Sequence, residues 1–102
     1  MNMIVVQTTC SNKKEASLIA KSLVKNKLAA CIQMSKIESF YMWEDKFCND
    51  AEVLLNIKTK KKNFKKIKSK IKELHSYDVP EIISISIDKI SKDYKKFIAD
   101  NC

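Results

Sequence analysis

Glycine is absent from the 102 residues of this chain, and proline and histidine occur once each. Without glycine, the chain lacks the glycine-rich loops that cradle nucleotide phosphates. It also lacks the glycine-containing strand motif of sheet-based RNA readers. Glycine normally supplies the left-handed backbone positions of tight turns. We therefore expect asparagine and aspartate to take those positions, with Asn26, Asp45 and Asn49 as candidates.

Arginine is absent as well: all 20 basic residues are lysine, and the formal net charge is +8. Arginine binds phosphate through a planar, bidentate guanidinium, whereas lysine is a mobile point charge. Its absence argues against a hydrolase that must hold an acyl phosphate. No paired acid and base carboxylates and no Ser-His-Asp order can be found. The sequence therefore predicts a protein that is not an enzyme.

Lysine is concentrated between Lys58 and Lys72, where nine of fifteen residues are lysine. Such a run could be an electrostatic footprint for nucleic acid or for an acidic membrane. It could equally be the solvated face of a helix. The pattern favours the solvated face, and a lysine-rich nucleic-acid-binding module is kept as an alternative function.

The length of 102 residues and the mass of 11.8 kDa fit one domain, residues 1–102. The N-terminal apolar run has no basic flank or cleavage site, and no apolar stretch approaches the ~20 residues that span a bilayer. We therefore expect an intracellular, cytoplasmic protein with no membrane partner. The cysteines form no C-x-x-C pair, which indicates free thiols in a reducing compartment; they are Cys10, Cys31, Cys48 and Cys102.

Hydrophobic periodicity predicts an α+β domain in the order β-α-β-β-α-β, followed by a short C-terminal helix. The expected strands cover residues 3–9, about 29–43, about 47–59 and a stretch that Pro80 opens. Asn12 and Glu15 have capping-box spacing and begin a helix that ends near Asn26. A second helix covers about 61–74, and Ser91 caps the last one. This is the ferredoxin-like pattern.

The two central strands form a hairpin that is long for so small a domain. Ala30, Ile32 and Met34 share one strand face, whereas the other face carries Ile37, Ser39, Tyr41 and Trp43. A strand changes its inward face through an extra residue, so we expect a bulge near Ser35 and Lys36. Strands of this length exceed the usual ~5–6 residues and leave unpaired edges beyond the domain. Another subunit is the expected cover.

The stretches LAACIQM, SFYMWEDK, LLNIKTK and HSYDVPEIISISI, with the final Tyr94 and Phe97, resemble the CutA divalent-cation tolerance proteins across essentially the whole chain. The resemblance implies a ferredoxin-like fold assembled as a homotrimer, with strands paired across subunits. It also implies a role in metal tolerance, with copper or another divalent cation as the ion. Departures from the family pattern are Ser76 in place of proline, Asp45 in place of glycine, and Phe97 in place of tryptophan.

Three residues are candidate metal ligands: His75, Cys31 and Cys10. A thiolate together with an imidazole suits a soft ion such as Cu(I). The resemblance implies a copper site that uses a cysteine at the end of the first strand together with this histidine. Thr8 stands at the matching strand position, with Cys10 two residues further on. The alternative is that His75 caps helix carbonyls and that Cys31 packs as a small apolar side chain.

Six polar or aromatic residues in the family-like stretches could line a cleft between subunits that binds a small ligand. They could instead bury area at a trimer contact, where aromatic side chains are enriched. The sequence leaves both roles open, and with them a purely structural trimer. The six residues are Tyr41, Trp43, Glu52, Lys58, Tyr77 and Glu81.

Overall fold

The computed structural model describes residues 2–102. The strands are β1 Met3–Cys10, β2 Cys31–Trp43, β3 Lys46–Lys60 and β4 Ile83–Ser86. The helices are α1 Lys13–Lys25, α2 Phe64–Leu74 and α3 Lys92–Asn101, with one 3₁₀ turn, Lys61–Asn63, before α2. The strands form one antiparallel sheet in the order β2-β3-β1-β4. The predicted ferredoxin-like α+β fold is confirmed.

One face of the sheet is covered by α1 and α2. Strand alternation points the even-numbered residues of β1 and the odd-numbered residues of β3 towards these helices. The helices contribute apolar residues at intervals of three or four, as the sequence predicted. Each fully buried isoleucine or leucine contributes about 1.5–3 kcal/mol relative to its exposed state. The most buried members of this core are Val6, Leu55, Ile57, Ile19, Leu23, Ile67 and Ile71.

The start of α1 follows its sequence signal, but its end does not. The Asn12 side chain accepts a hydrogen bond from the Glu15 N–H at 2.8 Å, which confirms the N-cap. The left-handed residue at the end is Lys27 (φ 56°), not the expected Asn26 (φ −88°). The N–H of Leu28 donates to the Leu23 carbonyl at 2.9 Å, which closes the helix with a lysine where glycine is usual.

The β2–β3 hairpin runs in unbroken register from the Cys31–Lys58 pair to the Trp43–Lys46 pair. The predicted bulge at residues 35 and 36 is therefore wrong. The even-numbered residues of β2 stay on the helix side throughout, but beyond Ile32 the strand is mostly exposed, so either of its faces can carry apolar or polar residues. A two-residue turn at Glu44 and Asp45, both with positive φ, reverses the chain; of the three expected left-handed positions, only Asp45 is one.

Strand β4 begins at Ile83, three residues after Pro80, so the prediction that Pro80 opens the strand is wrong. Residues 75–82 instead run as an irregular segment from α2 to β4. The N-cap of α3 is as predicted, since the Ser91 hydroxyl accepts from the Tyr94 N–H. Among residues 2–102, no helix is long and apolar enough to cross a bilayer.

Candidate functional site

A cleft of about 690 Å³ lies between the outer half of the hairpin and the segment that follows α2. Strand β2 contributes three aromatic residues, β3 contributes a carboxylate, and the segment 76–81 closes the other side. Five of the six predicted cleft residues meet here although they come from three separate parts of the chain. They are Tyr41, Trp43, Glu52, Tyr77 and Glu81.

Glu52 is the anchor of the cleft. It is only 9% exposed, and one of its carboxylate oxygens accepts a hydrogen bond from the Tyr77 hydroxyl at 2.7 Å. Burial, and then this bond to Glu52, raises the pKa of Tyr77 well above its usual value. Tyr77 therefore stays protonated and holds the carboxylate in place across the cleft.

Tyr41 and Trp43 form the hairpin side of the cleft, and both are partly exposed, at 40% and 48%. The Tyr41 hydroxyl donates to the Asp50 carboxylate on the neighbouring strand. That bond is the main cause that raises the pKa of Tyr41 to about 12. The Tyr41 ring is thus held against its own strand pair, with a protonated hydroxyl.

Lys58, the sixth predicted residue, lies elsewhere. It is six positions beyond Glu52 on β3, which at ~3.4 Å per residue separates the two by roughly 20 Å. Its ammonium group contacts the Gln33 side chain and lies 5.8 Å from the centre of the Tyr94 ring. Lys58 therefore belongs to the α3 end of the sheet and not to the cleft.

Two of the three predicted metal ligands come together, and the third does not. Donor atoms of Cys10, His75 and Glu15 all lie within 4.8 Å of one another. Cys31 pairs with Lys58 at the far end of the hairpin, next to Tyr94. Within one protomer, the set of His75, Cys31 and Cys10 is not assembled, because Cys31 occupies the opposite end of the sheet.

Both ring nitrogens of His75 already have partners. Nε2 lies 2.7 Å from the Thr9 carbonyl, and Nδ1 lies 3.0 Å from the Tyr77 N–H. Because a carbonyl only accepts and an amide N–H only donates, the ring is neutral with its proton on Nε2. The imidazole thus joins β1 to the cleft segment, whereas the helix carbonyl of Ile71 is capped by the backbone N–H of His75.

Cys10 and Glu15, the other two members of the cluster, differ in how easily each could bind an ion. Burial, followed by the charges of Glu15 and Glu52, raises the pKa of the Cys10 thiol to about 11. Glu15 accepts from the Ser76 N–H at 2.7 Å through one oxygen, and its other oxygen is buried without a partner. The donor set of sulphur, nitrogen and oxygen fits copper, but His75 must first give up one of its hydrogen bonds.

Sequence reasoning missed Glu15 and Asp50 as members of these sites. The sequence pattern around Glu15 predicted a helix start and not a binding site, since Glu15 stands at the third position of a helix that Asn12 caps. Its carboxylate does not accept from the Asn12 N–H, as it would in a capping box. It accepts instead from the N–H of Ser76, 61 positions away in the chain. Asp50 faces Tyr41 only through the register of the hairpin.

The lysine run covers the end of β3, the 3₁₀ turn and α2. Among its members on the turn and α2, all but Lys70 are exposed, and Lys70 pairs with Glu73 at 3.0 Å. Phe64, the one aromatic residue of α2, is partly buried against the core and is not exposed among these lysines. This arrangement is that of a solvated helix face.

The order of elements, the overlong hairpin and the cleft beside its outer half define a ferredoxin-like domain with a candidate ligand cleft. The family model described as CutA1 divalent ion tolerance protein matches residues 4–101. The chain therefore belongs to the CutA1 divalent ion tolerance family.

Relatives extend over nearly the full length of the chain. The divalent-cation tolerance protein CutA of Pyrococcus horikoshii is 40% identical over 98 residues, which cover 96% of each chain. The structure of CutA from Archaeoglobus fulgidus has a TM-score of 0.95 at 32% identity and covers 97% of each chain. The structure of CutA1 from Oryza sativa has a TM-score of 0.95 at 37% identity, covering 99% of this chain and 94% of that one.

Proposed function

We propose that this chain serves divalent-cation tolerance as a cytoplasmic homotrimer that binds a small ligand or a metal ion at its subunit interfaces and catalyses no reaction. The observation that carries the proposal is the cleft that Tyr41, Trp43, Glu52 and Tyr77 line beside the outer half of the exposed hairpin. A cleft of this volume falls within the range of about 300–1,000 Å³ that is usual for small-molecule sites.

The assembly is supported by apolar side chains that one protomer leaves exposed on the hairpin and on β4. Phe40, Met42 and Phe47 on the hairpin are 65%, 63% and 68% exposed, and Ile83 and Ile85 on β4 are about half exposed. β2 pairs only with β3, so its outer edge lacks a strand partner among residues 2–102. Long, apolar edges are normally covered by other chains. Three copies are the number that the family resemblance implies.

Sedimentation at micromolar concentration tests the assembly. We expect one species of three times 11.8 kDa. Phe47→Glu should weaken it by placing a charge in the apolar hairpin surface, whereas Leu18→Glu, at an exposed apolar position of α1, should leave it intact. A compact, folded monomer would contradict the proposal.

The second candidate function is copper binding by Cys10, Glu15 and His75, whose donor atoms lie within 4.8 Å of one another. A competition titration with a Cu(I) chelator on the folded protein tests it. If copper binds there, Cys10→Ala weakens binding at least tenfold, whereas Cys31→Ala, at the other end of the sheet, does not. Equal affinities for both variants and the unmodified chain exclude the centre.

A further inference from the structure

The charge of this chain is unevenly divided between its first two helices and the rest of the molecule. Residues 13–27 and 61–74 form the helical layer, which contains 12 of the 20 lysines but only two of the 12 acidic residues. The rest of the chain has eight lysines and ten acidic residues, so the net charge of +8 arises entirely in the helical layer. A compositional preference for lysine would raise lysine everywhere, but it would not keep carboxylates out of one layer.

The two carboxylates of the helical layer do not balance its lysines. Glu15 accepts from the Ser76 N–H, and Glu73 pairs with Lys70. The other 11 lysines of the layer are exposed, and none of them forms a salt bridge with another residue among 2–102. Like charges crowded on one surface repel one another, and an anionic partner relieves that repulsion.

The lysines stand on two helices that lie side by side against the same face of the sheet. On the outer side of α1, Lys14, Leu18, Lys21 and Lys25 follow one another at intervals of three or four residues, which places them in one line along the helix. Leu18 is 55% exposed, so this line of lysines carries an apolar side chain in its middle. The exposed lysines of residues 61–72 extend the basic face across the second helix.

A planar anionic surface fits this face better than a nucleic acid does. Two neighbouring helices can contact a plane at the same time, whereas proteins that bind single strands add aromatic rings on which the bases stack. Phe64 is the only aromatic residue of the helical layer, and it is partly buried against the core. Basic segments are attracted to acidic lipids, and an apolar side chain among the lysines can enter the headgroup region. We propose that the helical layer docks on the surface of an anionic lipid bilayer, with Leu18 facing the lipid.

Docking of this kind is compatible with the other features of the chain. The expectation of no membrane partner rested on the lack of a spanning segment, and binding to a bilayer surface needs none. In solution the same lysines form the solvated helix face described above. The docking also does not depend on the proposed ligand cleft, which lies beside the hairpin and contains no residue of the helical layer.

Co-sedimentation of the full chain with lipid vesicles tests the proposal. The vesicles consist of phosphatidylcholine alone or of phosphatidylcholine with about 30% phosphatidylserine, at about 0.1 M salt. We expect binding to the acidic vesicles only, and we expect it to weaken as the salt concentration rises, because salt screens the charges. Single-stranded RNA in the same buffer should not bind.

Substitutions on the outer line of α1 identify the docking face. The combined variant Lys14→Gln, Lys21→Gln and Lys25→Gln should weaken binding to the acidic vesicles about 100-fold, because each lysine near such a surface contributes about fivefold. Leu18→Ala should weaken it at least about threefold through the lost apolar contact. Circular dichroism of each variant checks that it is folded.

A matched variant separates the helical layer from the charge of the whole chain. Lys89→Gln, Lys92→Gln and Lys95→Gln together remove the same charge from exposed positions outside the layer, and they should weaken binding less than about threefold. An equal loss in both triple variants overturns the proposal, since net charge alone would then explain the binding. So does equal binding to both kinds of vesicle, or binding to neither. RNA that binds as tightly as the acidic vesicles assigns the face to nucleic acid instead.

Discussion

The hydrogen bonds of His75 allow its role to be tested through stability. Its imidazole donates to the Thr9 carbonyl at 2.7 Å and accepts from the Tyr77 N–H at 3.0 Å. A hydrogen bond of this kind contributes about 0.5–1.5 kcal/mol net, and a buried acceptor left without a donor costs about 1–3 kcal/mol. Thr9 is 7% exposed, so little water can replace the lost donor. We expect His75→Ala to lower the free energy of unfolding by about 2–4 kcal/mol.

Two conservative variants divide this loss between the two bonds. The Nε2 of glutamine occupies nearly the place of the imidazole Nε2, so His75→Gln should keep the Thr9 bond. Asparagine reaches only as far as Nδ1, so His75→Asn should keep the bond from Tyr77. Because the Thr9 carbonyl is the more buried partner, His75→Gln should retain more stability than His75→Asn.

Urea denaturation, followed by circular dichroism at fixed protomer concentration, measures these differences. The concentration must be held constant because assembly shifts the apparent stability. The reasoning fails if His75→Ala loses less than about 0.5 kcal/mol, a change usual for an exposed substitution. It also fails if the asparagine variant is the more stable of the two.

Three further predictions follow from the core, from a thiol and from the lysine run. Ile57 is fully buried, and Ile57→Ala should cost about 2–5 kcal/mol in urea denaturation, whereas Val24→Ala at an exposed position of α1 should cost far less. The Cys10 thiol has its pKa raised from 9.0 to about 11 in the folded chain, so its contribution is complete below pH 9 and is lost as pH rises towards 11. The stability difference between the unmodified chain and Cys10→Ala should therefore shift by about 2 kcal/mol between pH 8 and pH 10.5; a constant difference would count against a buried protonated thiol. Generic RNA should not bind at low salt, and binding with a steep salt dependence would revive the nucleic-acid alternative for the Lys58–Lys72 run.

Local signals carried most of the fold. The caps at Asn12 and Ser91 are local hydrogen bonds between residues three positions apart, and the helix stripe of Ile67 and Ile71 is a local period. Such features depend on few distant contacts, so they can be predicted from the local sequence. The strand order then follows from the order of elements, because few topologies accommodate it.

The errors fall where tertiary context overrides local preference. Lys27, rather than an asparagine, adopts the left-handed conformation because closing α1 brings the Leu28 and Ala29 N–H groups onto the Leu23 carbonyl. This closure compensates for the cost of about 1 kcal/mol that a side chain incurs there. The expected bulge assumed one covered face along all of β2, but beyond Cys31 and Ile32 the strand is mostly exposed. Neither fact can be read from propensities.

The candidate sites show the same division. The family resemblance selected five of the residues that meet in the cleft, since those positions carry recognisable motifs. Glu15 could not be placed beside Cys10 and His75, because its contact with Ser76 joins helix α1 to a segment 61 positions away. Lys58 and Cys31 stood in equally good motifs, yet both lie at the far end of the sheet. A motif gives the strand face of a residue but not its distance from the site.

The two candidate sites share one connection, and it constrains what both can do. The imidazole of His75 accepts a hydrogen bond from the Tyr77 N–H, and the Tyr77 hydroxyl donates one to the Glu52 carboxylate. A copper ion that took Nδ1 of His75 would release the Tyr77 backbone and loosen the carboxylate that anchors the cleft. A copper ion that took Nε2 would leave the buried Thr9 carbonyl without a donor. Copper at the cluster and a ligand in the cleft should therefore weaken each other's binding, and by linkage they should do so by the same factor.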